Sequence, residues 1–335
     1  MIETLVPWYE TNGRSLPWRE DTNPYHVWVS EIMLQQTRIE AVIPYYQRFL
    51  KELPDVQALA EAEPDRLQKL WEGLGYYSRV RNLQKAAQQI MEQYEGKFPD
   101  SYESIRALSG IGDYTAGAIG SICFNLPTPA VDGNVLRVIA RITEDGRPVN
   151  TEKIKKDVRM ELEPFYPKKK AGACTQAIME LGETICLPNG APDCENCPCK
   201  KFCGSSKGEW VNYPVKEAKK SRKTEQHTVF LLRCGDFIAL RKRPETGLLA
   251  GQWEFPNLER YLSEEEVRKQ AKDWGCQPKD CKEEGLQKHV FSHIEWDMKC
   301  YSVTCKKKSK EFVWVNSGQL ENEISLPTAF RKILK

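Results

Sequence analysis

Three groups of residues in this chain have types and spacings that could do chemistry. The first is Glu31, which sits in VWVSEIMLQQT amid apolar residues at helical spacing, with Gln35 one turn later on the same face. A carboxyl desolvated in such surroundings keeps its proton more readily, which is what a general acid working near neutral pH requires. At a helix boundary facing water, the same residue would be ordinary surface. The second group, Asp132 and Asn134, stands at a helix start in PAVDGNVLRVIAR. Asp and Asn are preferred N-caps and Asp-Gly is common turn chemistry, so a purely structural role is available to both.

The third group is the run CLPNGAPDCENCPCKKFC, spaced Cys186-x7-Cys194-x2-Cys197-x5-Cys203 with Cys199 as a spare thiol. Zinc sites usually pair two C-x-x-C knuckles, and only Cys194 to Cys197 forms one here. All-thiolate ligation by a single loop suits an iron–sulfur cluster at least as well. Spacing leaves iron–sulfur, zinc and unliganded thiols open, and Cys199 could replace a neighbour. Lys200 and Lys201 inside the loop, with Lys207 beyond, would point positive charge outward, either toward a phosphate backbone or simply into solvent. In ALSGIGDYTAGAIG, Gly110 and Gly112 separate two helical patterns. Glycines in such a turn let backbone N–H groups approach an anion at the start of the following helix, although helix–helix turns often carry Gly for structural reasons alone.

The elements that must position these groups can be read from pattern. With 335 residues the chain is long enough for two domains, and 40% apolar against 29% charged residues is a globular composition. The N-terminus has neither a basic n-region nor an apolar core of signal-peptide length, and no apolar run is long enough to span a membrane. Twelve cysteines without an export signal read as reduced thiols of a cytoplasmic protein. A net charge of +2 neither demands nor excludes a polyanionic partner. Apolar residues recur at three- and four-residue steps from Pro24 to about Cys203, predicting a mainly α N-terminal domain over residues 1–205. A basic interdomain linker is expected at 206–226. Beyond it, HTVFLLRCGDFIALRKRP reads as two strands joined at Gly-Asp, VFSHIEWDMKCYSVTC and EFVWV as further strands, and SEEEVRKQAKDWG as an amphipathic helix. Residues 227–335 are therefore expected to form an α+β domain.

The turn LSGIGDYTA, about residues 105–120, together with the cysteine loop (186–203) resembles the helix-hairpin-helix DNA glycosylase superfamily. SEIMLQQT, GLGYYSRVRNL, LSGIGDYTAGAI, VDGNVLRV and QAIMELG narrow the likeness to its MutY family of adenine DNA glycosylases. GLLAGQWEFP, VFSH and the tail LPTAFRKIL extend it over nearly the whole chain. Individual motifs are shared with endonuclease III; the set is not. The resemblance implies a Nudix-like C-terminal domain, one [4Fe-4S] cluster on Cys186, Cys194, Cys197 and Cys203, and a monomer acting in the cytoplasm, at the nucleoid in a bacterium. One departure is the seven-residue interval LPNGAPD between the first two ligands, where the family commonly has six.

By the same resemblance, Glu31 would protonate adenine N7 and help activate water. Asp132 would stabilise the sugar cation or a covalent intermediate, with Asn134 and Tyr114 in support. Breaking an N-glycosidic bond calls for such a pair, an acid for the leaving base and a negative group beside the oxocarbenium-like carbon. Trp18, Arg19 and Gln176 would line the adenine pocket. Leu34, Gln36, Thr37 and Tyr76 would serve as wedge and opposite-base contacts, and Gly110 and Gly112 would hold DNA backbone. Phe291, Ser292 and His293 would form a loop reading 8-oxoguanine, which differs from guanine by an N7–H donor and an O8 acceptor. The implied partner is duplex DNA with A:8-oxoguanine or A:G mismatches. Endonuclease III relatives carry Lys where this chain has Tyr114; a phenol cannot form an imine, so base excision without an efficient β-lyase step is expected. The alternatives are an endonuclease III-like glycosylase/lyase, or a DNA-binding module fused to a Nudix hydrolase. SEEEVRKQAKDWG lacks the carboxylate order that a Nudix hydrolase places on magnesium.

Overall fold

The computed structural model describes residues 1–218 and 221–334; Lys219 and Lys220 of the expected linker, and Lys335, lie outside the described residues. The helices of the first two-thirds are α1 (Ile2–Asn12), α2 (Pro24–Leu34), α3 (Ile39–Glu52), α4 (Val56–Glu61), α5 (Pro64–Leu70) and α6 (Ser78–Tyr94). They are followed by α7 (Tyr102–Ala107), α8 (Asp113–Phe124), α9 (Gly133–Thr143), α10 (Glu152–Leu162) and α11 (Ala171–Thr184). After them come strands β1 (Lys223–Cys234), β2 (Phe237–Lys242), β3 (Trp253–Glu254) and β4 (Asn257–Leu258), then α12 (Glu264–Asp273). The chain closes with β5 (Pro278–Val290), β6 (Ile294–Cys305), β7 (Val313–Asn316), α13 (Ser317–Asn322) and α14 (Thr328–Arg331).

Two compact units result, and they do not follow the linear order. Unit 1 comprises Met1–Glu61 and Asn82–Ala218, and unit 2 comprises Ala62–Arg81 and Lys219–Lys335. A short stretch of the helical half thus belongs to the C-terminal unit. The expected linker is also partly tied into the two units. Val149 N donates to Val215 O (3.0 Å) and Glu217 N to Asn150 Oδ1 (2.8 Å) within unit 1, while β1 already begins at Lys223.

Unit 1 is all-helical. Helix α11 packs against α1, α8 and α9, and α8 against α2 and α7. Small residues permit the close approaches: a Cβ at Gly172 would stand 2.9 Å from Ser121 O, and one at Gly117 would overlap the Pro129 carbonyl. Leu5, Val135, Leu136, Val138, Ile178 and Leu181 form one core, each worth roughly 1.5–3 kcal/mol when removed from water.

Unit 2 is a seven-stranded sheet of order β3-β2-β1-β6-β5, with β4 pairing β1 and β7 pairing β2. Strands β1 and β6 run parallel, from Lys223↔Ile294 to Arg233↔Thr304, whereas β5 and β6 form an antiparallel hairpin. The run VFLL in β1 is apolar without alternation because both faces are covered. Val229 and Leu231 meet Trp253, Phe255 and Phe330 on one side, and Phe230 and Leu232 meet Val267 and Ala271 of α12 on the other. Helix α12 starts with a capping box in which Ser263 and Glu266 bond each other's backbone N–H groups.

Candidate active site and base-reading turn

Unit 1 contains a cavity of about 1060 Å³. Lining it are Trp18, Arg19, Glu31, Leu34, Gln36, Thr37, Gly110, Gly112, Tyr114, Asp132, Asn134 and Gln176, so the fold gathers twelve separately predicted residues around one space.

Glu31 is delivered by α2, a helix buried almost all round and started by Asn23, whose side chain accepts from Tyr25 N at 2.9 Å, with Pro24 at the first helical position. The Glu31 side chain keeps only 7% exposure. Burial pushes its pKa up to about 7, opposed by the hydrogen bond from the Tyr114 hydroxyl to Oε2 (2.7 Å) and reinforced by the charge of Asp132. Burial likewise raises the Tyr114 pKa, with the Glu31 and Asp132 charges adding to it. The carboxyl is thus held near the point where it can both give and take a proton at neutral pH.

Asp132 is the N-cap of α9, and its Oδ1 accepts from Val135 N at 2.8 Å. The capping role and a place on the cavity wall are therefore the same position. Burial raises its pKa, against backbone hydrogen bonds from Val135 and Asn134 and the charge of Arg137. Asn134 donates to Glu183 Oε1 (2.6 Å) and accepts from Arg137 Nη2 (2.9 Å). Arg137 also donates to Gly182 O and Cys186 O, both at 2.8 Å, which ties the start of α9 to the beginning of the cysteine loop.

Behind the cavity wall stand residues that sequence reasoning missed, Glu180 first among them. Glu180, fully buried, accepts from Arg14 N (3.1 Å), Arg14 Nε (2.6 Å) and Arg19 Nη2 (2.8 Å). Burial alone would raise its pKa, but the two guanidinium groups outweigh that and hold it below the usual range. Arg19 lies over the Tyr9 ring at 5.4 Å, and the Tyr9 hydroxyl donates to Gln176 Oε1 at 2.8 Å, which fixes the Gln176 carboxamide at the cavity wall. Trp18, 7% exposed, packs edge-on to Tyr46 and faces the same cavity. The missed signal was an acidic residue inside the apolar run QAIMELG, the pattern that singled out Glu31.

Leu34 ends α2, and two residues on Gln36 takes a left-handed backbone with φ 59°. Such conformations in a non-glycine residue persist only where the surroundings over-determine them, and they concentrate at working sites. The turn between α7 and α8 is stapled by Arg106, which donates to Asp113 Oδ1 (2.6 Å) and Ile111 O (2.9 Å). Gly110 has φ 74°, and a Cβ there would stand 2.6 Å from Asn82 Cβ, so only glycine fits. Gly112 is the N-cap of α8, and a Cβ there would meet nothing within 4 Å, so the helix N-terminus is open beside it.

Cys186, Cys194, Cys197 and Cys203 line one small cavity, of about 20 Å³, and Cys199 lines it too. Arg141 Nη1 donates to Cys186 Sγ (3.3 Å) and Leu187 O (2.9 Å), and its guanidinium lies 5.7 Å from the Trp210 ring centre. A hydrogen bond with the Cys199 thiol lowers the Cys197 pKa to about 7. Among the described residues no three Cys, His, Asp or Glu side chains gather closely enough to hold a single metal ion.

The remaining predicted residues lie in unit 2. Phe291, Ser292 and His293 form the β5–β6 turn, closed by Phe291 N to Ile294 O at 2.8 Å. The Phe291 ring packs edge-on to Trp296 at 5.0 Å, which leaves Ser292 and His293 exposed at the tip. Tyr76, 48% exposed with φ 48°, brings its hydroxyl to 3.0 Å from Ser292 Oγ. These two residues, 216 apart in sequence, form one exposed polar pair.

Two family descriptions match this chain: HhH-GPD superfamily base excision DNA repair protein over residues 29–164, and NUDIX domain over 228–335. A solved thermostable thymine-DNA glycosylase superposes with TM-score 0.56 at 26% identity, covering 62% of this chain and 94% of that one. Endonuclease III trapped in a covalent intermediate with DNA gives 0.53 at 20% identity, over 62% and 94% of the two chains, a likeness of fold. The Mus musculus adenine DNA glycosylase is 33% identical over 89% of this chain and 69% of its own length. That of Buchnera aphidicola subsp. Acyrthosiphon pisum is 32% identical over 99% and 96%. The helical unit, the Nudix-like unit and this end-to-end similarity place the chain in the adenine DNA glycosylase family.

Proposed function

We propose that the protein removes adenine from duplex DNA by hydrolysing its N-glycosidic bond, and that its preferred substrate is adenine opposite 8-oxoguanine, or guanine. The observation that carries this reading is Glu31, a buried carboxyl with its pKa near 7, bonded to Tyr114 in a cavity it shares with Asp132. Adenine stacked in a duplex hides its glycosidic bond, so the nucleotide must be extruded, at roughly a few kcal/mol. Glu31 then delivers a proton to N7 of the base. As the bond breaks, Asp132 supplies negative charge beside the developing sugar cation, and Glu31, now ionised, accepts a proton from the attacking water. Arg19 and Gln176 supply donors to an acceptor-rich purine edge, and the aromatic face of Trp18 supports stacking. DNA backbone is held by the amides at Gly110 and Gly112.

Tyr114 supports a monofunctional enzyme, because no amine occupies its place beside Glu31. Tyr76 and Ser292 support opposite-base reading. A hydroxyl can accept from the N7–H of 8-oxoguanine or donate to its O8, and the phenol ring can stack for about 1–3 kcal/mol. In unit 2, Glu266 is engaged in the capping box and Glu264 with Arg268 at 2.9 Å, which favours a binding module over a Nudix hydrolase.

The cysteine loop fits a [4Fe-4S] cluster held by Cys186, Cys194, Cys197 and Cys203. Structural zinc sites usually pair two C-x-x-C knuckles. The loop offers one C-x-x-C knuckle, with all its thiols lining one shared cavity, and all-thiolate ligation by a single loop suits an iron–sulfur cluster. Such a cluster supplies a rigid staple for the loop, which carries Lys200 and Lys201.

Incubation with an A:8-oxoguanine duplex, followed by assay for abasic sites before and after alkali, tests the assignment. Free adenine with strand breaks only after alkali is expected. Strand breaks without alkali would favour a glycosylase/lyase, and no adenine release from any duplex would overturn the reading. Among the described residues no helix is long and apolar enough to cross a membrane; the site of action we propose is the cytoplasm, on chromosomal DNA.

A further inference from the structure

We propose that Glu72 is a positioning residue for opposite-base discrimination, the point through which the C-terminal tail holds Tyr76 and Ser292 in register. The inference rests on the reading above, that these two residues face the base opposite adenine.

Glu72 lies four residues before Tyr76 and is largely buried, with 13% of its side chain exposed. Its Oε1 accepts from Leu326 N at 3.0 Å and from Arg331 Nη2, and its Oε2 accepts from Lys69 Nζ at 2.8 Å. Lys69 Nζ donates in turn to Ile324 O at 3.1 Å. One carboxylate therefore fastens the tail both before and within α14.

From Glu72 the connection to Tyr76 is short and rigid. Trp71, fully buried, donates through Nε1 to Gly75 O at 3.1 Å. Arg79 lies between the Trp71 and Tyr76 rings, 5.3 and 5.6 Å from their centres, and donates to Leu74 O and Gly75 O, both at 3.1 Å. These bonds hold the left-handed backbone of Tyr76, which a non-glycine residue adopts only under such constraint. The tail also supports the other half of the pair. Phe330, fully buried in α14, packs against Trp296 at 5.9 Å, and Trp296 packs against Phe291 next to Ser292. Tyr76 and Ser292 thus stand on one support, and releasing the tail from Glu72 frees them to move independently.

The test uses the full-length protein and single-turnover adenine release, at saturating enzyme, from an A:8-oxoguanine and an A:G duplex. Glu72→Ala and Arg331→Ala should each lower the preference for the oxidised pair by about three- to tenfold while the rate on A:G stays within about twofold. The double variant should be no worse than the more affected single one, because both remove the same attachment. An unchanged preference in folded Glu72→Ala protein, or an equal fall on both duplexes, would overturn the inference and leave the functional reading intact. Wild-type protein with no preference for 8-oxoguanine would sink the reading and the inference together. Should Glu72→Ala fail to fold, Glu72→Gln keeps an oxygen for Leu326 N and weakens the attractions to Arg331 and Lys69. Amide hydrogen exchange of residues 71–79 should then accelerate in Glu72→Gln and in Arg331→Ala; unchanged exchange in both would overturn the proposal.

Discussion

The Tyr114 hydroxyl donates a 2.7 Å hydrogen bond to Glu31 Oε2, and this bond works against the burial that raises the Glu31 pKa. With protonated Glu31 as the proposed acid, single-turnover excision should be fast below pH 7 and fall as pH rises through about 7. The bond favours the ionised form, so Tyr114→Phe should move that limb to higher pH; a limb that stays or moves down would refute the pairing. Linkage gives the same sign for stability. A carboxyl whose pKa folding raises from its ordinary value of 4.5 to about 7 stabilises the fold below 4.5 and loses that contribution as pH climbs through 7.

Glu31→Gln preserves shape and removes the transferable proton. Adenine release should drop by at least about 100-fold, the usual worth of a positioned general acid. Binding of an uncleaved mismatch duplex, followed by gel shift, should survive. Retained single-turnover activity would sink the assignment.

Glu180 is shared by Arg14 and Arg19, so Glu180→Ala leaves two guanidinium groups without their common partner. Breaking such a buried pair typically costs ~3–5 kcal/mol, and here about 2–3 is expected because the Arg14 side chain retains 33% exposure. A lowered denaturation midpoint should accompany weaker adenine binding, since Arg19 loses the carboxylate that aims it. Normal stability with normal KM would count against the pocket's construction.

Ser292→Ala removes a single hydroxyl at an exposed turn. Its effect on folding should be negligible, while the preference for A:8-oxoguanine over A:G should fall about fivefold, equivalent to one hydrogen bond of ~1 kcal/mol. Competition between the two duplexes reads this directly, and an unchanged ratio would remove Ser292 from the reader.

Much of unit 1 was legible because its signals are local. The helices follow from three- and four-residue apolar steps, and Glu31 was conspicuous as an acid within such a run. Glu180 carries the same mark yet went unread, because its partners Arg14 and Arg19 lie more than 160 residues away. Asp132 showed its capping role in the motif, and only the fold adds the cavity. The start of β1 was hidden because KTEQ is polar, and the strand there is defined by parallel pairing with β6, which leaves no periodic trace. For the same reason the segment Ala62–Arg81 read as part of the helical half: nothing in PDRLQKLWEGLGYYSR announces a partner at Arg331.

That partner determines when the protein can become competent during synthesis. Glu72 emerges from the ribosome 259 residues ahead of Arg331, so the segment that carries Tyr76 must wait for Arg331 before the two can pair. A nascent chain could complete the helical unit, with Glu31 and Asp132, while lacking the support under Tyr76. Under the proposed reading, the groups for base removal would be assembled during synthesis before the support for opposite-base discrimination, which waits for Arg331.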